Sequence, residues 1–418
     1  MNEPMTCPHR PACSGCPSLE VAYPQQLEEK LQTVRHWFAE ASIRDFEPRT
    51  IRSILPAPQR PAYRNRIKLV PRRTAGGEIH LGLYQAGSHR VLNIPGCPVQ
   101  LDGINKVVEI VREAIHSSEM SIYDEQRLAG DVRYITIREG QRTGQVLVGL
   151  ITHREMCPGM DRFCESIQRE GAGIVGIVQH VNEQSGNAIF GGRNITRLGR
   201  EYMEEEVAGL RIRLGLSSFF QVNTAVAEAA YRSIVDRLHL DRRETLLDLY
   251  SGVGTIAMVA APSAYQAIGI EVVEEAVEFA RDSAGANGIG NCTFRVGSVE
   301  RLLPGVVRDI GRSGVTAGRV LVAVNPPRKG LDPGVLGQLV RMRPGRMAYL
   351  SCEPRTLVRD LKHLCDHDLV VRHVELFDMF PYTSKVETLA ILERRRPMIA
   401  VPAHERARRR EGGGRVRR

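Results

Sequence analysis

The stretch Leu246–Met258, LLDLYSGVGTIAM, reads as a buried strand, a turn holding two glycines, and the start of a helix. Gly252 and Gly254 remove side chains where backbone must come close to a ligand, and the helix start presents unpaired N–H groups. The spacing Asp248-x-x-x-Gly252-x-Gly254 is shared by dinucleotide-binding and methyl-donor folds, and also by a plain tight turn between strand and helix. The next strand, AIGIE, ends on Glu271, a carboxylate placed either to accept hydrogen bonds from ribose hydroxyls or simply to face water.

Downstream, strands and helices take turns. Helices are expected at 224–238, 255–261, 272–287, 333–342 and 355–366, with strands at TLLDLY, QAIGIE, CTFRV, RVLVAVN and MAYL between them. Two further β-rich pieces, 369–377 and 386–393, close this unit. Such alternation predicts an α/β fold with a doubly wound, mostly parallel Rossmann-like sheet over 215–397, whose ligand lies beyond the carboxyl ends of the strands.

Upstream the pattern differs. Residues 51–214 mix short strands (RNRIKLV, IHLGLY, VRYITIR, GQVLVGLI, GIVGIVQHV, NAIFGG) with two helical stripes, NKVVEIVREAI and MDRFCESIQRE, and predict a mixed α/β central domain. Its basic positions Arg64, Arg66, Lys68, Arg72 and Arg73 are candidates for holding phosphates. Residues 1–50 form a cysteine- and proline-rich arm followed by a helix from Leu19 to Ala41. The end, 398–418, is arginine-rich with a Gly412–Gly414 run and reads as a disordered basic tail.

At 418 residues the chain is long enough for two or three domains with cores of their own. It has no apolar run of the roughly 18 residues that a spanning helix needs, and no apolar signal core at its start, so no membrane association and a cytoplasmic location are expected. A formal charge of +9 favours a polyanionic partner. Nine cysteines, an odd number without an export signal, point to free thiols, metal ligands or nucleophiles rather than disulfides.

Three further motifs fall at strand ends on the same edge. In VNPPRKG (324–330) the two prolines stiffen the chain and hold Asn325 and Arg328 at a strand mouth. In AYLSCEPRTLVRDL (348–361) an apolar run stops at Cys352. A lone cysteine is most often a small hydrophobe, but its position on this edge makes Cys352 a candidate nucleophile. In DMFPYTSKVETLAIL (378–392) Glu387 sits in an otherwise apolar strand, which is costly unless the carboxyl faces a site or the strand is an edge.

Taken with SSFFQVNTAVAE (217–228), these motifs in this order resemble the RNA uracil-5-methyltransferase family, S-adenosylmethionine enzymes that make 5-methyluridine, over most of the chain. The resemblance implies that Cys352 adds to uracil C6, that Glu387 is the general base that later removes the C5 proton, and that Arg328 supports the enolate charge. It implies an S-adenosylmethionine site at Gln221, Tyr250, Thr255, Glu271 and Asn325, with Phe219 and Phe220 shaping the wall. Two positions depart from the family pattern: Asn325 replaces the commoner Asp, and Lys385 replaces the His usual two residues before the base. The target base must leave its stack to reach the thiol.

Cys7, Cys13 and Cys16, with the remote Cys97 in IPGCPVQ, supply four thiols whose spacing alone fits zinc or an iron–sulfur cluster. The resemblance favours [4Fe–4S], because the family's cluster-bearing members carry this triad and one distant cysteine. Cys157, Cys164, Cys292 and Cys365 are expected in the core. With Cys7 so near the start, the N-terminal β-barrel module of some members is expected to be absent. Cluster without barrel resembles the short members that methylate uridine 747 of 23S ribosomal RNA, and a monomer is expected. The alternatives are a tRNA uridine-54 methyltransferase, a noncatalytic iron–sulfur RNA-binding protein, and a zinc-containing DNA cytosine methyltransferase. In the last, the nucleophile follows a proline, whereas here Cys352 precedes Glu353 and Pro354.

Overall fold

The computed structural model describes residues 5–125, 127–184 and 189–395, so the expected basic tail lies outside the described residues. Helix α1 (Tyr23–Ala41) starts at Tyr23 rather than Leu19, since Pro24 in the first turn sets the helical φ where no N–H is needed. Its Leu31, Val34 and Phe38 enter the same core as the parallel strands far down the chain. The short β1 (Ile54–Leu55) follows.

The central sheet is built from β2 (Arg66–Arg73), β3 (Ile79–Tyr84), β4 (Val91–Asn93), β5 (Val132–Glu139), β6 (Val146–Thr152), β7 (Ile174–Val181) and β8 (Arg193–Gly199), in the order 4-3-2-5-6-7-8. Helices α2 (Asp102–Ser117) and α3 (Met160–Glu170) cover one face, burying Val107, Val111 and Phe163 against Ile67, Ile135 and Val148. The strand expected at NAIFGG is displaced. Residues 187 and 188 lie outside the described residues, Ile189–Gly192 are irregular, and the edge strand is Arg193–Gly199. The cause is a close approach: a Cβ on Gly192 would stand 1.7 Å from the Val181 carbonyl oxygen, and the Gly191 and Gly192 N–H groups donate to His180 Nε2 at 3.2 Å.

A hairpin of β9 (Tyr202–Val207) and β10 (Leu210–Gly215) leads into the second sheet. That sheet alternates α4 (Thr224–Leu238), β11 (Thr245–Leu249), α5 (Thr255–Ala260), β12 (Gln266–Glu271), α6 (Glu274–Ala286), β13 (Cys292–Val296), α7 (Val299–Arg312), β14 (Val320–Val324), α8 (Pro333–Met342), β15 (Arg346–Ser351), α9 (Pro354–Asp366), β16 (Leu369–Phe377) and β17 (Glu387–Arg394). Among the described residues its order is 1-16-17-15-14-11-12-13. The strands β11 to β15 run parallel, while β17 is antiparallel to both neighbours, β15 and β16. Chain direction across the sheet reverses at β11, which sits between β12 and β14, and the crevice beyond their carboxyl ends is where such sheets bind ligands.

Helix α7 was not expected, since Pro304 and Gly305 interrupt its pattern. Its buried residues Val299, Leu303, Val306 and Ile310 nevertheless keep helical spacing. Pro304 cannot donate to the Glu300 carbonyl, and the Gln338 side chain takes that acceptor instead, at 3.3 Å. Burial by α8 thus compensates what the proline removes.

Candidate active site

The turn after β11 is built as a cradle. Tyr250, Gly252 and Gly254 have φ of 61°, 54° and 75°, and a Cβ on Gly254 would meet the Phe294 ring at 2.3 Å. Asp248, fully buried in β11, accepts the Ala257 N–H at 3.0 Å and so ties the first turn of α5 to the strand. Burial, opposed by that hydrogen bond and helped by the Glu271 charge, lifts its carboxyl to about 7.

Glu271 ends β12 beside this turn. Its Oε2 accepts the Gly252 N–H at 2.9 Å, and its Oε1 accepts the Val272 and Val273 N–H groups at 2.8 and 2.9 Å. Of the roughly four lone-pair directions of a carboxylate, one on Oε2 is left for a ligand hydroxyl. The third wall comes from β14: Asn325 donates its N–H to the Leu249 carbonyl at 3.4 Å, and Pro326 and Pro327 carry the chain to an exposed Arg328. The Arg328 carbonyl accepts from Thr356 Oγ1 at 3.0 Å, which joins this loop to the start of α9.

Cys352 lies between β15 and α9, half-buried. Burial and the nearby Glu387 charge raise its thiol pKa, while the Arg328 guanidinium works the other way. Glu387 opens β17, which is an interior strand, so the carboxyl does not point to water as it would on an edge. It is 1% exposed, its Oε2 has no hydrogen-bond partner among the described residues, and burial pushes it to about 8. Lys385 stands outside this pair and reaches Glu353 Oε2 at 3.4 Å.

These side chains share one cavity of about 1090 Å³, lined by Gln221, Tyr250, Glu271, Asn325, Arg328, Cys352 and Glu387. Thr255 does not line it; it is buried at the first position of α5. Phe219, 60% exposed, and the buried Phe220 form part of the wall. The segment that carries them is clamped from the central sheet. Arg138 donates to the Gly215 and Ser218 carbonyls, Arg66 to the Leu216 carbonyl at 2.8 Å, and Asn65 Nδ2 to the Gln221 carbonyl at 2.9 Å. Arg66, pushed down to about 10 by burial, is therefore spent on the protein's own backbone, as is Arg73, which donates to the Gly77 and Met120 carbonyls. Arg64, whose Nε donates to the Arg66 carbonyl at 3.2 Å, and Lys68 line the cavity along with Arg66, with the Lys68 ammonium 4.9 Å from the Phe190 ring centre.

Several wall residues escaped the sequence reading. Glu300, at the start of the unexpected α7, accepts from the Tyr250 hydroxyl at 3.3 Å; Phe380 and Gln100 also line the cavity, and the Gln100 side-chain oxygen has no hydrogen-bond partner among the described residues. Recognising α7 through its Pro304 would have placed Glu300. Nothing in the local pattern marks Gln100 or Phe380.

Cys7, Cys13, Cys16 and Cys97 also line the cavity, as free thiols. Burial, and then the charges of Cys97, Cys13 and Cys7, push the Cys16 thiol to about 12, so the four sulfurs sense one another. The Gly15 N–H points at Cys13 Sγ, 3.4 Å away. Among the described residues no three His, Cys, Asp or Glu side chains are grouped closely enough to hold a metal ion. Cys157 and Cys365 are buried, and Cys164 and Cys292 pack against the cores.

The sequence model of the tRNA (uracil-5-)-methyltransferase family matches residues 22–395. The chain belongs to this family. An uncharacterized RNA methyltransferase of Gloeobacter violaceus is 35% identical over 388 residues, covering 93% of this chain and 82% of the relative. One from Geobacter sulfurreducens is 34% identical, covering 96% and 80%. Among solved structures, the Pyrococcus abyssi tRNA (uracil-54, C5)-methyltransferase in complex with S-adenosyl-L-homocysteine superposes with a TM-score of 0.72 at 28% identity, covering 91% of this chain and 86% of that one. The family is one of RNA uracil-5-methyltransferases, and the fold is the α/β fold of S-adenosylmethionine-dependent methyltransferases. No helix among the described residues is long and apolar enough to cross a membrane.

Proposed function

We propose that this protein methylates C5 of a loop uridine in 23S ribosomal RNA, uridine 747, with Cys352 as nucleophile and Glu387 as base. The observation that supports the chemistry is convergence: thiol, guanidinium and buried carboxyl come from three separate strand ends and face one cavity with the glycine cradle and Glu271.

Uracil C5 is a poor nucleophile. The Cys352 thiolate adds to C6, its electron pair forming the S–C6 bond while the C5–C6 pair becomes an enolate ending at O4. Arg328, already favouring the thiolate, lies on the same wall to balance that charge. Gln221, Tyr250, Glu271 and Asn325 would hold S-adenosylmethionine, with Thr255 acting from the helix start behind the cradle. When bound, the cofactor supplies an electrophilic methyl group on a positively charged sulfur. Glu387 then accepts the C5 proton, the C5–C6 double bond re-forms, and the C6–S bond breaks to return the thiolate. A buried carboxylate with no partner on one oxygen is a stronger base than a solvated one.

Cys7, Cys13, Cys16 and Cys97 line one cavity and are soft donors, the donor type a thiophilic group takes, although as placed they are not drawn together closely enough to hold a metal ion. In this proposal they would hold a [4Fe–4S] cluster, which would brace the arm against the cavity rather than take part in methyl transfer. A single zinc is the alternative occupant.

A second reading, tRNA uridine 54, is favoured by the Pyrococcus abyssi enzyme, whose substrate that is. Mass mapping of 5-methyluridine in ribosomal and transfer RNA from cells with and without the protein decides. Loss of the mark only in 23S RNA supports the first reading, loss only in tRNA supports the second, and loss in neither removes both.

A further inference from the structure

The connection between β16 and β17 is nine residues, 378–386, and its ends are locked opposite each other, since Phe377 pairs with Glu387 across the two strands. Whatever fixes Asp378 therefore fixes the strand end facing the carboxyl. This connection also supplies Phe380 to the cavity wall.

The residues that hold it come from the other end of the chain. Lys30 Nζ on α1 donates to Asp378 Oδ1 at 2.5 Å and to the Phe380 carbonyl at 3.0 Å; the lysine is 3% and the aspartate 0% exposed. The Tyr23 hydroxyl donates to Asp378 Oδ2 at 2.7 Å and accepts the Ala57 N–H at 2.9 Å. Gln26 Oε1 accepts the Tyr382 N–H at 3.0 Å, and the Ser18 N–H donates to the Tyr382 carbonyl at 3.0 Å. Tyr382 itself is held at φ 66°. Ser18 stands two residues after Cys16, whose carbonyl accepts the Leu19 N–H at 3.3 Å.

A buried ion pair is a costly way to gain stability, because apolar residues of similar size do as well or better. Its specific product is a fixed geometry. We propose that Lys30, Asp378, Tyr23 and Gln26 are positioning residues that hold the 378–386 connection so that Glu387 meets the C5 proton of the covalent intermediate, and that Ser18 couples the cysteine loop to this same connection. The inference rests on the reading of Glu387 as the base. Loosening the connection spares thiol addition and methyl transfer, which need Cys352 and the β11 and β14 loops, and slows only proton removal and release.

The test compares Glu387→Gln with the double variant Lys30→Met/Asp378→Leu, which removes both charges together and so leaves neither one buried alone. Each is incubated with substrate RNA and S-adenosylmethionine and run on a denaturing gel. The double variant is expected to lose about a hundredfold in turnover, the scale of an ångström's misplacement, and to accumulate the shifted protein–RNA band that Glu387→Gln accumulates. A destabilised but correctly assembled site would slow all steps together and show no band. Normal turnover, or slow turnover without the band while Glu387→Gln gives one, overturns the inference and spares the base. No band with Glu387→Gln removes the base assignment and, with it, the inference. If the double variant does not fold, Tyr23→Phe, which deletes one hydroxyl, is read the same way: a severalfold loss with the band supports the proposal, and turnover like the unaltered protein overturns it.

Discussion

Replacing Glu387 by Gln removes a buried ionisable group with little change of shape, and its effect on stability depends on pH in a way that the burial fixes. The carboxyl is fully enclosed, has an unpartnered oxygen, and is raised from 4.5 to about 8 by burial alone. The folded protein thus binds this proton more tightly than the unfolded chain does. Its contribution to stability is fully present below about pH 4.5 and is lost as pH rises toward 8. At roughly 1.4 kcal/mol per unit, integrating between pH 5 and pH 9 gives a loss of about 4 kcal/mol in the unaltered protein that the glutamine variant does not suffer. Urea unfolding of both proteins at the two pH values measures this term together with its coupling to Cys352, while titrating groups that do not feel Glu387 cancel in the comparison. The variant is expected to gain on the original by about 4 kcal/mol between pH 5 and pH 9. An equal gap at both pH values would show that the carboxyl is not held neutral in the fold, and the account of its basicity would fail with it.

The pH profile of product release follows from the same carboxyl: Glu387 must be ionised to take the C5 proton and is raised to about 8, so kcat should climb between about pH 7 and 9, and a profile flat across that range would contradict the assignment. Gly254→Ala places a Cβ 2.3 Å from the Phe294 ring at a φ of 75°, so a loss of about 1–3 kcal/mol in stability and of S-adenosylmethionine binding is expected by calorimetry. Protein prepared without oxygen should be brown and contain iron, and Cys16→Ser should lose both; a colourless preparation with one zinc would replace the cluster by a structural zinc.

The thiol at 352 and the carboxyl at 387 were legible as candidates because each breaks a rule of its neighbourhood, a cysteine at a strand mouth and an acid in an apolar strand. The structure adds that β17 is interior, which decides between a solvated Glu387 and an enclosed one. Arg66 shows the opposite case. Its charge suggested phosphate binding, but it is committed to the Leu216 and Ser218 carbonyls, partners about 150 residues away that no local pattern reveals.

Apart from α7, the sequence alone determined the alternation of strands and helices from β11 onward, because burial on both faces forces apolar runs of strand length and one-sided burial forces a helical stripe. It determined which residues stand at strand ends, since the strands stop where the apolar runs stop. What only the tertiary structure decided is every relation that depends on distance rather than order. Helix α1 reaches across to Asp378, the four cysteines line the cavity that also holds Cys352 and Glu387, and α7 persists through Pro304 because Gln338 supplies the missing donor. Side chains far apart in sequence settle such contacts jointly through packing and hydrogen bonding, and local composition carries no record of them.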